Sequence, residues 1–270
     1  MSSDNQSSSQ AVLLCREGEC RESSLELLAE EPLLIRVQDR PYVVVMRTPG
    51  DEKFQAAGFC LAEGIVDGAA DFRTIGHDEL QDANVVDVWL QPERVAAIGD
   101  ILARQSFLSQ SSCGICGKAL LEDIRQKTTP LDDAFRIPLG RLAECLERLD
   151  EHQQFYRRTR ASHAALLLDD AGRPLAFAED VGRHNALDKA IGRALLEGRL
   201  DRARLAVLSS RNSYELVQKA ARARLPVMLS KSRATALAVR LAGALNITLA
   251  FPRRDELVIA TAAGRITFPR

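Results

Sequence analysis

Residues 205–251 read LAVLSSRNSYELVQKAARARLPVMLSKSRATALAVRLAGALNITLAF, and their alternation decides the fold. The short apolar runs LAVLSS (205–210), PVMLS (226–230) and ITLAF (247–251) read as strands. Between them, SYELVQKAARAR (213–224) and TALAVRLAGALN (235–246) carry helical periodicity. Strand–helix–strand succession predicts an α/β sheet with parallel neighbours and right-handed crossovers. One more short strand is expected near LVIAT (257–261).

Upstream, a helix over 139–155 leads into HAALLLDDAGRPLAFAED (163–180), which predicts a hairpin turning at Asp170-Ala171-Gly172. VGRHNALDKAIGRALLEG (181–198) then reads as a helix burying Leu187, Ile191, Ala194 and Leu195. The N-terminal half is mixed α and β. LLIRVQ (33–38) and YVVVMR (42–47) predict a hairpin, and EKFQAAGFCLAEGI (52–65) a helix with Phe54, Ala57, Cys60 and Leu61 on one stripe and Asp51 as its cap. A strand NVVDVWL (84–90) and helices over 94–108 and 119–127 follow, separated by the polar, glycine-rich SQSSCGICGK (109–118). These patterns predict a flexible polar segment over 1–30, a mixed α/β region over 31–135 ending in the CxxC loop, and an α/β domain over 136–270. No internal repeat is present.

With 46% apolar and 27% charged residues, the 270-residue chain reads as a globular protein with a sizeable core. No apolar run reaches the roughly 18 residues of a membrane span. The polar opening MSSDNQSSSQ lacks the basic and apolar regions of a secretory signal, so a cytoplasmic protein with reduced thiols is expected. The net charge of −1 hides a gradient: residues 1–100 hold 8 basic and 19 acidic side chains, residues 201–270 hold 13 and 4. The C-terminal part is therefore a candidate anion receptor. Only three aromatics, Tyr214, Phe251 and Phe268, accompany that charge, which argues for a discrete phosphorylated ligand and against a nucleic-acid surface.

Ligands of open parallel sheets bind outside the carboxyl ends of the strands. Three such ends read Ser209-Ser210-Arg211-Asn212-Ser213, Ser230-Lys231-Ser232-Arg233-Ala234-Thr235 and Phe251-Pro252-Arg253-Arg254. The first two open helices, whose free N–H groups favour anions, and their side chains add donors. Taken singly, each such loop is usually helix caps and solvated surface; three in register point to convergence on phosphate. Asp180, Arg183, His184, Asn185, Asp188 and Lys189 cluster in AEDVGRHNALDKAIG, more polar groups than capping uses, with His184 a candidate proton carrier or phosphate donor.

Of six cysteines, Cys60 and Cys145 sit among apolar neighbours as core residues, and Cys15 and Cys20 could chelate. Cys113-Gly114-Ile115-Cys116-Gly117-Lys118 admits several readings. A zinc half-site would need two further ligands, and no second CxxC or HxxxH exists. A thioredoxin-type dithiol should follow a core strand, whereas Ser and Gln precede this one. A sulfur carrier needs a nucleophilic thiol able to visit donor and acceptor. The flanking glycines supply freedom, and Lys118 and the following helix would lower the thiolate pKa. An incidental turn also fits. His77-Asp78-Glu79 with the CxxC echoes zinc deaminases, but Ser112 stands where their pattern has Pro, and HDEL leads into a strand.

The stretches MRTPGD, GFCLAEGI, SSCGICGK, EDVGRHNALDKAIG and ELVQKAARARLPVMLSKSRATALA resemble the FdhD (formate dehydrogenase accessory) sulfur carrier proteins over roughly residues 31–261. The resemblance implies a fold partly similar to cytidine deaminases, without the zinc chemistry and with no metal of its own. It implies a sulfurtransferase that takes persulfide sulfur from a cysteine desulfurase and passes it to Mo-bis(molybdopterin guanine dinucleotide), bound as substrate, for formate dehydrogenase or a related molybdoenzyme. Cys113 would bear the persulfide with Cys116 as helper. The cofactor-contacting stretch falls on Phe251, Pro252, Arg253, Arg254, Asp255 and Glu256, after the last strand, beside Ser209, Arg211, Ser230, Lys231, Ser232 and His184. A GDP-like nucleotide would fit the same site, and a homodimer is implied. The chain departs from the family's Thr-Gly-Gly-x-His at Thr159-Arg160-Ala161-Ser162-His163, from its Ser-Gly-Arg at Ser209-Ser210-Arg211, and from Gly at Ala250. A zinc-dependent deaminase-type hydrolase and a non-catalytic cofactor-binding chaperone are the competing readings. Zinc content separates the first, and survival of Cys113→Ala in complementation the second.

Overall fold

The computed structural model describes residues 6–76, 83–99 and 128–268. Its centre is a six-stranded sheet of β8 (His163–Leu168), β9 (Pro174–Asp180), β10 (Leu205–Leu208), β11 (Val227–Ser230), β12 (Thr248–Arg253) and β13 (Glu256–Ile259), in the order β13-β12-β11-β10-β8-β9. β10, β11 and β12 are parallel, as the alternation of 205–251 predicts. β8 and β13 flank them antiparallel, and β9 returns antiparallel on β8 through the Asp170–Gly172 turn.

Strands covered on both faces must be apolar on both, and alternate residues here enter two different clusters. Ala165, Leu167, Ala206, Leu208, Met228 and Leu249 pack with helices α1 (Glu52–Ala62), α5 (Arg183–Leu196), α6 (Tyr214–Arg222) and α7 (Ala236–Ala244). Leu166, Leu168, Leu205, Val207, Val227 and Leu229 pack on the other side with Leu142, Cys145 and Leu149 of α3 (Leu139–His152). The helix expected over 139–155 stops at His152. A second one, α4 (Gln154–Thr159), starts where the Glu179 carboxylate accepts the N–H groups of Phe155 and Tyr156, so a side chain from β9 re-initiates the helix.

A second sheet, ordered β4-β3-β6-β5, is built from β3 (Glu31–Val37), β4 (Arg40–Arg47), β5 (Phe72–Gly76) and β6 (Val85–Leu90), with α2 (Pro92–Ala97) following. Its inner residues Leu33, Ile35, Val86 and Val88 join the same cluster as α1 and α5, so one core runs from residue 33 to residue 249. β5 has no alternating apolar signal, being an edge strand with no fully buried residue, and sequence periodicity misses it. α1 lies between this sheet and α5 and is buried from Gln55 to Ala62, wider than the predicted stripe. Asp51 occupies its N-cap position with φ of 63° but makes no side-chain cap; its Oδ1 accepts from Arg193 Nη2 at 2.6 Å. A tertiary ion pair has replaced the local cap.

The N-terminus corrects two expectations. Residues 7–28 are not a flexible segment: β1 (Ser7–Arg16) and β2 (Glu19–Leu28) form an antiparallel hairpin. Arg158 fastens it through Glu26 and Ser7. Cys15 and Cys20 stand opposite each other in its register and are joined by a disulfide, so these two thiols are not reduced. Pairing across a tight turn is set by proximity, which the hairpin register supplies. Cys60 and Cys145 are free and buried, as expected of core residues, and burial pushes both thiols up. No helix among the described residues is long and apolar enough to cross a membrane. Two short strands, β7 (Ile137–Pro138) and β14 (Ile266–Thr267), pair in parallel beside α3.

Candidate functional site

The carboxyl edge of the parallel strands is a consequence of register. Leu208 faces Ser230, and Leu229 faces Ala250, so Ser209, Ser230 and Phe251 reach one edge. Because β8 and β9 run as an antiparallel pair, the start of one and the end of the other arrive at the same edge, with His163 opposite Asp180. α5 and α6 begin there as well.

At the centre the polar groups interlock. Ser209 Oγ accepts from the Ala164 N–H at 2.8 Å, which leaves its own hydroxyl hydrogen to donate. Asn212 is fully buried and donates through Nδ2 to Ser230 Oγ at 3.0 Å, which in turn donates to the Ser232 carbonyl at 2.6 Å. Asn212 Oδ1 is buried without a partner among the described residues. The N-cap of α6, Ser213, makes no side-chain cap, so that helix start keeps its N–H groups for another acceptor. At α7 the Thr235 hydroxyl accepts from Ala238 N at 3.2 Å, so the anion-receptive N-terminus expected there is in part self-capped.

His184 opens α5 and places Nε2 2.7 Å from Glu215 Oε2 and 3.4 Å from Ser213 Oγ. The His184 hydrogen bond holds the Glu215 carboxyl below the usual range against the opposing effect of burial. His163 lies half-buried nearby; burial and the charges of Arg183 and His184 depress its pKa, with Asp180 opposing. Arg183 Nε is buried without a partner among the described residues.

Four of the six polar groups expected in 180–189 turn out to hold the fold. Asp180, with no exposure, accepts from the Thr48 and Gly182 N–H groups, Asn185 Nδ2 and Lys189 Nζ, at 2.7 to 3.1 Å. Lys189 Nζ also donates to the Thr48 carbonyl at 2.7 Å, and Asn185 Nδ2 to the Met46 carbonyl at 2.7 Å. Asp188 is paired with Lys219 at 2.7 Å between α5 and α6; burial raises its pKa while Lys219 opposes. Burial of this kind is compatible with charge only when every lone pair is used.

The remaining expected residues divide. Lys231 is engaged by Asp150 of α3, and Arg211 and Ser232 are exposed. Phe251 to Glu256 do not follow the last strand. Phe251, Pro252 and Arg253 belong to β12, Arg254 and Asp255 make the turn with Arg254 at φ 54°, and Glu256 begins β13. An apolar run marks where a strand starts but not where its ladder ends, and the pairing of Arg253 with Glu256 extends it. Cys113, Cys116, His77 and Glu79 lie outside the described residues. His163, Glu215 and Thr48 join the site without having been singled out. The hairpin register carries a signal for the first, since a turn at 170–172 brings 163 close to 180. Among the described residues no group of His, Cys, Asp or Glu is placed to hold a metal ion.

The departures from the motif pattern also find places. Arg160 takes φ of 58° at the C-terminus of α4, a left-handed conformation that glycine adopts without steric cost. Ala250 and Ser210 are buried.

Comparison with known proteins gives a consistent result. The FdhD/NarQ family model matches residues 28–267. A protein named sulfur carrier protein FdhD from Streptomyces coelicolor is 38% identical over 266 residues, covering 94% of each chain. One of the same name from Streptomyces avermitilis is 40% identical over 248 residues, covering 88% of this chain and 87% of that one. A crystal structure from Desulfotalea psychrophila, attributed to a formate dehydrogenase accessory protein, superposes with a TM-score of 0.77 at 24% identity, over 97% of this chain and all of that one. That likeness shows the fold.

Proposed function

Because this chain belongs to the FdhD/NarQ family, we propose that it is a sulfurtransferase that receives persulfide sulfur from a cysteine desulfurase and delivers it to Mo-bis(molybdopterin guanine dinucleotide) for formate dehydrogenase or a related molybdoenzyme. The observation that carries the reading is Cys113-Gly114-Ile115-Cys116 in a chain that matches proteins named as sulfur carriers over nearly its whole length. The reading includes work in the cytoplasm as a homodimer, and a cytidine deaminase-like arrangement of residues 136–270 without its zinc chemistry.

In the loading step the Cys113 thiolate attacks the outer sulfur of the desulfurase persulfide. The sulfur–sulfur bond of the donor breaks, the donor cysteine leaves as a thiolate and takes up the proton that Cys113 released on ionising, and Cys113 carries the new persulfide, with Cys116 as helper. Lys118 nearby in sequence favours the attacking thiolate. The guanine dinucleotide arms of the substrate would be met at the sheet edge. Ser209 supplies a hydroxyl donor, the uncapped start of α6 supplies N–H groups, and His184, oriented by Glu215, supplies an imidazole. Arg211, Arg253 and Arg254 are exposed and add positive charge. The buried Asn212–Ser230 pair fixes the loop that carries Arg211.

Intact-mass analysis after incubation with a desulfurase and cysteine tests the assignment. Wild type gains one sulfur atom, and Cys113→Ala gains none while keeping its circular dichroism spectrum. Undiminished loading of the Cys113→Ala protein would remove Cys113 from the mechanism. Full complementation by that variant would favour a non-catalytic chaperone.

A further inference from the structure

The base of the N-terminal hairpin is fastened to the body. Arg158 of α4 holds Glu26 and Ser7, and Gln6 Nε2 donates to the Pro49 carbonyl at 2.7 Å. Beyond that base, residues 9–25 make no hydrogen bond or ion pair with the rest of the chain among the described residues. Their polar side chains bond only within the hairpin, as Ser9 does with Ser24.

A two-stranded ribbon is marginal in water by itself. This one turns on Glu17 and Gly18 at φ of 53° and 91°, the left-handed pair that a two-residue hairpin loop requires. Gly18 takes that conformation freely, whereas Glu17 bears the clash of its Cβ. Apart from its own ladder, the outer ribbon is therefore held by the Cys15–Cys20 bond beside the turn. Both of these cysteines are exposed, unlike the buried Cys60 and Cys145. Access of this kind puts a disulfide within reach of an attacking thiolate.

We propose that Cys15–Cys20 is a reversible thiol–disulfide exchange site for a dithiol reductant, and that its state decides whether the outer hairpin is ordered. A thiolate of the reductant attacks the sulfur of one cysteine. The bond between Cys15 and Cys20 breaks, a mixed disulfide forms, and the other cysteine leaves as a thiolate and takes up a proton. The second thiol of the reductant, once ionised, attacks the mixed disulfide and releases the first cysteine, which is protonated in turn. Two electrons have then reached the hairpin, and the reductant ends as its own disulfide. Opened, the ribbon frays from the turn back toward Glu26, where Arg158 holds the base. Whenever the ladder re-forms, its register returns the two sulfurs to opposite positions, and only residues 16–19 lie between them. Reclosure by an oxidising disulfide is thus a short-loop event.

The full chain is treated with dithiothreitol under native conditions, alkylated with N-ethylmaleimide and mapped by peptide mass. In parallel, trypsin cleavage after Arg16 and Arg21, both exposed in the outer hairpin, is timed. Without reductant neither Cys15 nor Cys20 is expected to carry the label. With it both should, while the thermal transition of the body is retained. Cleavage at the two arginines should quicken about tenfold, and oxidised dithiothreitol should restore the slow rate. The Cys15→Ser, Cys20→Ser double variant should be cut at the fast rate with or without reductant. Labelling of the untreated protein, or labelling only after unfolding in urea, would overturn the proposal. So would equal cutting rates in the two redox states of the wild type, a comparison that needs no substitution and stands even if the double variant does not fold.

Discussion

His163 shows what placement does to a single side chain. Burial first, then the charges of Arg183 and His184, hold its pKa below the ordinary value, so the folded protein keeps this imidazole neutral where the unfolded chain would protonate it. The stability linked to it is present above the unfolded pKa of about 6.5 and drains away as pH falls through the folded value. Urea unfolding across pH 7 to 5 should therefore show a falling midpoint in wild type and a shallower fall in His163→Gln. Identical slopes would mean that another group is responsible. Glu215, with its pKa lowered, acts in a separate window nearer pH 4, where acid removes its His184 bond.

At the scale of elements, the contact between α1 and α5 is set by two glycines. A Cβ on Gly192 would fall 1.8 Å from the Phe54 carbonyl oxygen, and one on Gly58 2.0 Å from that of Asp188, so the two backbones touch where any side chain would intervene. This close approach lets α1 carry the second sheet onto the core. Gly192→Ala should destabilise by about 2–4 kcal/mol, read from equilibrium denaturation, despite the higher helix propensity of alanine. A gain of the size propensity alone would give, under about 1 kcal/mol, would show that the helices can separate freely. Neither glycine is distinguishable by sequence from an ordinary weak point in a helix, since the partner backbone is over 100 residues away.

Across the whole molecule, Asp180 joins parts that are far apart in the chain. Its carboxylate reaches Thr48, after the second sheet's edge strand, and Lys189 in α5, at the end of the six-stranded sheet. Asp180→Asn would strand the Lys189 charge in the core, a loss of about 3–5 kcal/mol. Since one hydrophobic cluster spans both sheets, fluorescence and far-ultraviolet dichroism should report the same, lowered transition. Two separated transitions would show that the sheets unfold independently.

The parallel strands, their connecting helices and the 170–172 turn were legible from residues 163–251 because apolar periodicity and turn chemistry are local properties. The CGIC motif and the serine-rich strand ends were legible as chemistry. Sequence could not assign Asp51 to Arg193, Lys231 to Asp150 or the 180–189 cluster to the core, because a polar side chain looks alike whether it meets water, ligand or another chain segment. Nor could it see the hairpin over residues 7–28, whose pairing rests on a cross-strand register. Those were decided by tertiary packing, which brings distant groups within hydrogen-bond reach and removes the solvent that would otherwise satisfy them.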